Sequence, residues 1–405
     1  VRNDLKKRIF ISALEHSAEM HCANLIGAVT DKQAAAGGVW PGQEHIPVDS
    51  LASAVEWVGF GGEKMQQRGC RLLDHTVKRA AMIYNVFGQL GYYRKLIKQA
   101  NDYFATSKVD LVVVCDSPAF NFHIAKAAKK HGIPVLFYVA PQLWAWAPWR
   151  IHKLKRCCDR LACILPFEKD WFGARGVDAE FVSNPLFDTM DVHPEQQLKS
   201  YSDYDPAAAK IALLPGSRDA EIRTLWPAML DIAAELRQKH PGAVFSACAP
   251  DADKLALLEE IADDYTNGSV PIYYHVGTLV DLAKQSDLAF VASGSATLQV
   301  ATAGCPMVVM YQSSRLMWHA VGRWLIRTRF LSLPNILAGR EVVPEFMPYF
   351  TDLDPILREA ESLLCNRSKL TQTSSALVEL VRPLTERRAC DVVAEMVLAL
   401  LNQSI

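Results

Sequence analysis

Short apolar runs alternate with helical patterns from one end of this chain to the other, and that alternation admits few folds. The runs fall at 8–14, 57–59, 109–115 and 135–139 in the first half, and at 210–214, 243–248, 288–291 and 307–310 in the second. Strands separated by helices lie parallel, because a helix-length crossover returns the chain to the same end of the sheet. The expected class is α/β, with two doubly wound, Rossmann-like sheets and a cleft between them. At 405 residues and 50% hydrophobic content the chain can fill two cores. The polar segment 193–206, with a proline near each end, reads as the linker. The expected domains are 1–192 and 193–375, followed by C-terminal helices over 376–405 that pack across both. Val392, Val393, Met396 and Leu400 mark the face of the last helix. Segment 34–49, rich in Gly, Ala and Pro without periodicity, reads as a surface excursion.

The junction at 211–218 ends an apolar strand on a small flexible turn with a fixed positive charge. Ile222, Leu225, Met229, Ile232 and Leu236 then share one helical face. The amides of the helix start, with Gly216, Ser217 and the Arg218 guanidinium, therefore suit a phosphate or diphosphate. A bare glycine turn capped by Ser217 is the alternative. Ser293, Gly294 and Ser295 follow the strand at 288–291 in the same way, and Gln299 stands one turn further on, where its amide can bond a ribose; a simple helix cap is again the alternative. Two such turns in one half suggest a nucleoside diphosphate. Neither is a Walker sequence, so ATP hydrolysis is not expected.

Asp116 directly follows the strand at 109–115, where open α/β sheets place their ligands. It reads either as the cap of a proline-led helix or as a general base. Trp144, Trp146 and Trp149 crowd around Pro141 and Pro148 after the next strand, which makes either a ligand wall or a small satellite core under the basic segment 150–156. In 317–327 an apolar stripe with Trp324 runs beside Arg315, His319, Arg323 and Arg327, which describes either core or an interfacial membrane helix. Trp318 belongs to the same stretch. A second apolar stretch, 82–96, offers Val86, Phe87 and Leu90 to acyl chains or to the first core.

The 43 basic and 44 acidic residues leave a net charge of −1, which gives no global field for nucleic acid. Ten cysteines without a Cys-x-x-Cys pair suit neither a disulfide framework nor a zinc site, and read as reduced thiols of a cytoplasmic protein. No apolar stretch reaches bilayer-spanning length, and the first residues lack a signal-peptide pattern, so a soluble or peripheral protein is expected.

Taken in order, 116–121, the aromatic loop 141–146, Leu-Pro-Phe-Glu-Lys at 165–169, the turn at 213–218, 293–298 and Ser-Leu-Pro-Asn-Ile-Leu-Ala-Gly-Arg at 332–340 resemble the lipid-A-disaccharide synthase family. The resemblance implies a GT-B fold and an inverting, metal-independent glycosyl transfer without a cofactor. It implies a donor, UDP-2,3-diacylglucosamine, held mainly by the second domain. The acceptor, 2,3-diacylglucosamine 1-phosphate, would approach the first, at the cytoplasmic face of the inner membrane. It assigns Asp116 as the base for the acceptor 6-hydroxyl and Arg218 with the 216–217 amides to the leaving diphosphate. Glu15, Ser17, Glu19, Asn121 and Asn335 fall to the acceptor side and the ordering of the cleft. The chain departs from the family pattern at 14–19, where Leu14 and Ala18 replace glycines, and at Ala119, Ser183 and Gln299. Those departures keep two other readings open: a different UDP-sugar enzyme of the same fold, such as an epimerase, or a silent relative that binds lipid or UDP.

Overall fold

A computed structural model of the protein describes residues 6–35, 55–78, 86–191, 193, 197–265, 270–313, 319 and 328–403, with side chains from residue 90 onward in the helix that begins at Val86. Most of the 34–49 excursion and, apart from His319, the whole of 317–327 lie outside the described residues. The chain forms two compact units, one of Val1–Met190 with Glu386–Ile405 and the other of Asp191–Thr385.

The first unit is built on β1 (Lys7–Ser12), β2 (Val55–Gly61), β3 (Arg71–His75), β4 (Leu111–Cys115), β5 (Val135–Tyr138), β6 (Arg160–Cys163) and β7 (Ala179–Phe181). They pair in the order β3-β2-β1-β4-β5-β6-β7, every pairing parallel, with Ile9 between Trp57 and Leu111. The second unit contains β8 (Lys210–Leu214), β9 (Val244–Ala249), β10 (Ile272–Val276), β11 (Leu288–Ala292), β12 (Met307–Met310) and β13 (Glu345–Phe346). Their order is β10-β9-β8-β11-β12-β13, again all parallel. The central strands are buried along their whole length, as a parallel sheet covered on both faces demands: β4 reads Leu-Val-Val-Val-Cys and β11 reads Leu-Ala-Phe-Val-Ala.

Helices supply the cover through one apolar face each. In His16–Ala35 the buried face includes Cys22, Leu25, Ile26 and Val29, and in Asp219–Lys239 it includes Ile222, Leu225, Met229, Ile232 and Leu236. The C-terminal helices divide between the units. Arg367–Thr385 belongs to the second, whereas Ala389–Gln403 buries Val393, Val397 and Leu401 in the first core beside residues of His16–Ala35. All ten cysteines are free thiols. No helix among the described residues is long and apolar enough to cross a membrane.

Both sheets share one topological feature. The chain turns outward to one side after the first strand and to the other after the fourth, so the carboxyl ends of β1 and β4, and of β8 and β11, flank a switch point. Open α/β sheets bind ligands at such a crevice.

Candidate functional site

At the second unit's switch point, the turns after β8 and β11 line a single cavity of about 360 Å³. It brings together all seven residues expected to hold a nucleotide: Gly216, Ser217, Arg218, Ser293, Gly294, Ser295 and Gln299. Gly216 has φ +107, a left-handed conformation that favours glycine, and a methyl group there would lie 2.6 Å from Glu221 Oε2. Arg218, rather than Ser217, caps helix Asp219–Lys239, with no side-chain hydrogen bond to the first-turn amides. Those amides and the positive end of the helix remain available to an anion. The Arg218 side chain is 77% exposed at the rim and pairs with Glu221 Oε1 at 2.8 Å. The Glu221 side chain is only 12% exposed, so a diphosphate must draw Arg218 away from a largely buried carboxylate.

Sequence reasoning missed Glu221, although it follows Arg218 by three residues on the same helix, and it missed the cavity's far wall of Cys248, Pro250, Gly277 and Leu279 at the ends of β9 and β10. A larger cavity of about 930 Å³ lies along Thr224–Gln238 and 350–357, but Asp231, Glu235, Asp352 and Asp354 line it and repel an anion. Among the described residues no group of His, Cys, Asp or Glu is placed to hold a metal ion.

The first unit's switch point gathers Glu15, Asp116, Ser117 and Asn121. Asp116 and Ser117 have φ of 51° and 42°, left-handed values that residues with a Cβ adopt only at a cost. Asn121 holds this turn in place. Its amide donates to the carbonyls of Cys115 and Asp116 at 2.9 and 2.8 Å, and its Oδ1 accepts from Ser12 Oγ at 2.8 Å, across the switch point from β1. Ser117 Oγ donates to the exposed Glu15 carboxylate at 3.4 Å. Asp116 is half-buried. Burial pushes its carboxyl above the usual range, the Ser117 amide pulls it back, and the negative charge of Glu15 raises it further.

Two expectations meet a different geometry. Glu19 is buried and accepts from the Lys64 amide at 2.8 Å, so it caps helix Glu63–Gln67 and presents no free carboxylate to a ligand. Asn335 lies in the second unit, fully buried. Its Oδ1 accepts from Val342 and Val343 and its Nδ2 donates to Val343 and Glu345, which uses all four bonds of the amide; it orders the 333–346 segment without a group left for substrate. Leu14, in place of a family glycine, needs no left-handed backbone. Ser183, which also departs from the family pattern, does adopt one, at φ 69°.

The remaining candidates divide. Ser17 is exposed at the start of helix His16–Ala35. Trp144 belongs to packing: it meets Phe167 edge-on at 4.9 Å and its indole donates to the buried Glu168 at 2.8 Å. Trp149 is 58% exposed. Leu90 is 48% exposed on helix Val86–Thr106. The Val86 and Phe87 side chains, and Trp318, Arg323, Trp324 and Arg327, lie outside the described residues.

Two parallel, doubly wound units with matching switch points are the GT-B class of fold, and solved structures match it end to end. The MnaA–UDP co-structure from S. aureus aligns with TM-score 0.60 and 14% identity over 98% of this chain and 97% of that one. MurG from Acinetobacter baumannii aligns at 0.56 and 15%, over 96% and 98%. The family profile described as lipid-A-disaccharide synthetase matches residues 9–400. The lipid-A-disaccharide synthase of Myxococcus xanthus is 32% identical over 97% of both chains, and that of Geobacter sulfurreducens is 30% identical over 98% of both. The chain belongs to the lipid-A-disaccharide synthase family, and is a glycosyltransferase of lipid A biosynthesis.

Proposed function

We propose that the chain joins UDP-2,3-diacylglucosamine to 2,3-diacylglucosamine 1-phosphate, giving lipid A disaccharide 1-phosphate and UDP with inversion at the anomeric carbon. The observation that carries the chemistry is Asp116, a half-buried carboxylate with a raised pKa, fixed at a switch point by Asn121. A carboxylate raised in this way is a stronger base toward a hydroxyl than a solvated one. It takes the proton of the acceptor 6-hydroxyl as that oxygen attacks the anomeric carbon, and the bond from that carbon to the diphosphate breaks.

The departing UDP carries the developing charge. Arg218 leaves Glu221 to meet it, and the uncapped amides of helix Asp219–Lys239 add their partial charge. This fixed positive charge supports a reaction that needs no divalent ion. In this reading the uracil base lies against Cys248, Pro250, Gly277 and Leu279, and Gln299, on the same cavity, bonds the ribose. Because both substrates are acylated, the reaction belongs at the cytoplasmic face of the inner membrane. Leu90 and the 317–327 stretch are the proposed contacts with acyl chains or the bilayer.

The test is UDP release from the two substrates. Asp116→Asn is expected to lower kcat at least a thousandfold with UDP affinity by titration calorimetry within about twofold of wild type, whereas Arg218→Ala should weaken UDP binding about tenfold as well. Full activity in Asp116→Asn removes Asp116 from the mechanism. UDP binding without turnover in the wild type supports the silent relative instead.

A further inference from the structure

The basic segment after the aromatic loop is not used by the mechanism above. Arg150 stands at the start of helix Ile151–Cys157, with its guanidinium 5.0 Å from the centre of the Trp146 ring; its Nη1 is buried and has no hydrogen-bond partner. One turn on, Lys153 Nζ lies 4.8 Å from the Phe122 ring. His123 and Lys126, exposed on helix Pro118–Lys130, complete the group. The four are close enough to repel: Lys153 is lowered by burial and then by Arg150 and Lys126, and His123 by burial and then by Lys153 and Lys126.

Aromatic faces steer these cations but do not neutralise them. Among the described residues none of Arg150, Lys153 or Lys126 pairs with a carboxylate, whereas Lys129, on the same helix, pairs with Asp159 at 2.8 Å. The position is informative as well. Helix Pro118–Lys130 begins in the Asp116 turn, and the aromatic loop leaves β5, the strand beside β4. His123 is therefore only about 7.5 Å along the helix axis from its first residue.

We propose that Arg150, Lys153, His123 and Lys126 form an anion subsite for the phosphate monoester of the acceptor. The inference rests on the transferase reading, in which the acceptor carries a phosphate at one end of the sugar and the hydroxyl attacked by Asp116 at the other. Arg150, its guanidinium over the Trp146 ring with Nη1 unpartnered, supplies N–H donors, and Lys153 acts as a point charge. A subsite beside the base then selects phosphorylated over unphosphorylated sugar.

The experiment compares 2,3-diacylglucosamine 1-phosphate with 2,3-diacylglucosamine as acceptor in detergent micelles, for wild type and for Arg150→Gln combined with Lys153→Met, which keeps the apolar stem. The double variant should raise KM for the phosphorylated acceptor at least tenfold, with donor KM and kcat within threefold of wild type. Its preference for phosphate should fall to within about threefold of none. Lys126→Gln, at an exposed position, should move the same way by a smaller factor. Unchanged discrimination in both variants overturns the proposal. So does loss of sedimentation with phosphatidylglycerol vesicles while discrimination stays intact, since the patch then serves a lipid surface. If the wild type turns over neither acceptor, the transferase reading fails on its own. Calorimetric titration with glucosamine 1-phosphate against glucosamine then decides the subsite: a preference lost in the double variant supports it, and no preference in the wild type overturns it.

Discussion

Gly216 has little freedom to change. Its φ of +107 disfavours any residue with a Cβ, and the added methyl would press on Glu221 and on Ala292 Cβ, 3.3 Å away. Alanine there would shift Glu221 out of its pair with Arg218 and narrow the cavity. Left-handed strain of about 1–2 kcal/mol corresponds to roughly five- to thirtyfold. Gly216→Ala is therefore expected to weaken UDP binding about five- to thirtyfold in calorimetry, with far-UV circular dichroism unchanged. The first unit concentrates the opposite choice. Asp116, Ser117, Val139, Ala147 and Ser183 all adopt left-handed φ without being glycine, and all lie in segments that follow strands of its sheet. Such strain gathers at functional sites. The turn at 216–218 was legible because glycine, arginine and a helix start are neighbours in sequence. The bonds Ser12 to Asn121, Glu19 to Lys64 and Asn335 to Glu345 were not, because a side-chain bond between distant residues leaves no local spacing to read.

At the scale of elements, Glu168 joins the aromatic loop to the turn after β6. It is fully buried, accepts from Trp144 Nε1 at 2.8 Å and from the Ile164 and Leu165 amides at 3.0 Å each, and burial raises its pKa to about 7 against those bonds. Its folded pKa exceeds the unfolded value of 4.5, so the folded state binds the proton more tightly. Stability from this group is present below pH 4.5 and is lost as pH rises through about 7, by up to about 3 kcal/mol. Glu168→Gln should lower stability throughout, because its amide N–H₂ must face an N–H donor. The gap between wild type and variant should narrow as urea midpoints are measured from pH 5 to pH 7.5. A constant gap would show that Glu168 does not titrate in that window. The strongest strands were legible from their unbroken apolar runs: β4, β5, β8, β11 and β12 fall within a residue or two of expectation. Arg71–His75 and Glu345–Phe346 escaped because edge strands are short or polar and rely on a neighbour already in place.

For the whole molecule, the chain leaves the first unit near Met190 and returns at Glu386, so the final helix must close a core begun nearly four hundred residues earlier. Asp188 secures that return. Buried at the exit, it accepts from the Ala389 and Cys390 amides at 2.6 and 3.0 Å and so caps helix Ala389–Gln403 from a distant part of the chain. Its carboxylate faces the positive end of that helix, and those amide bonds oppose the rise in pKa caused by burial. Losing both bonds strands two buried amides, at a cost of about 1–3 kcal/mol each. The two units have separate cores, so the loss should stay in the first. In calorimetry, UDP should raise the transition of the unit that binds it in proportion to the logarithm of ligand concentration. Asp188→Ala should lower the transition that UDP does not raise, by several degrees, and leave the UDP-dependent shift of the other intact. If both transitions fall together in Asp188→Ala, the two units unfold as one and the final helix supports more than the core it enters.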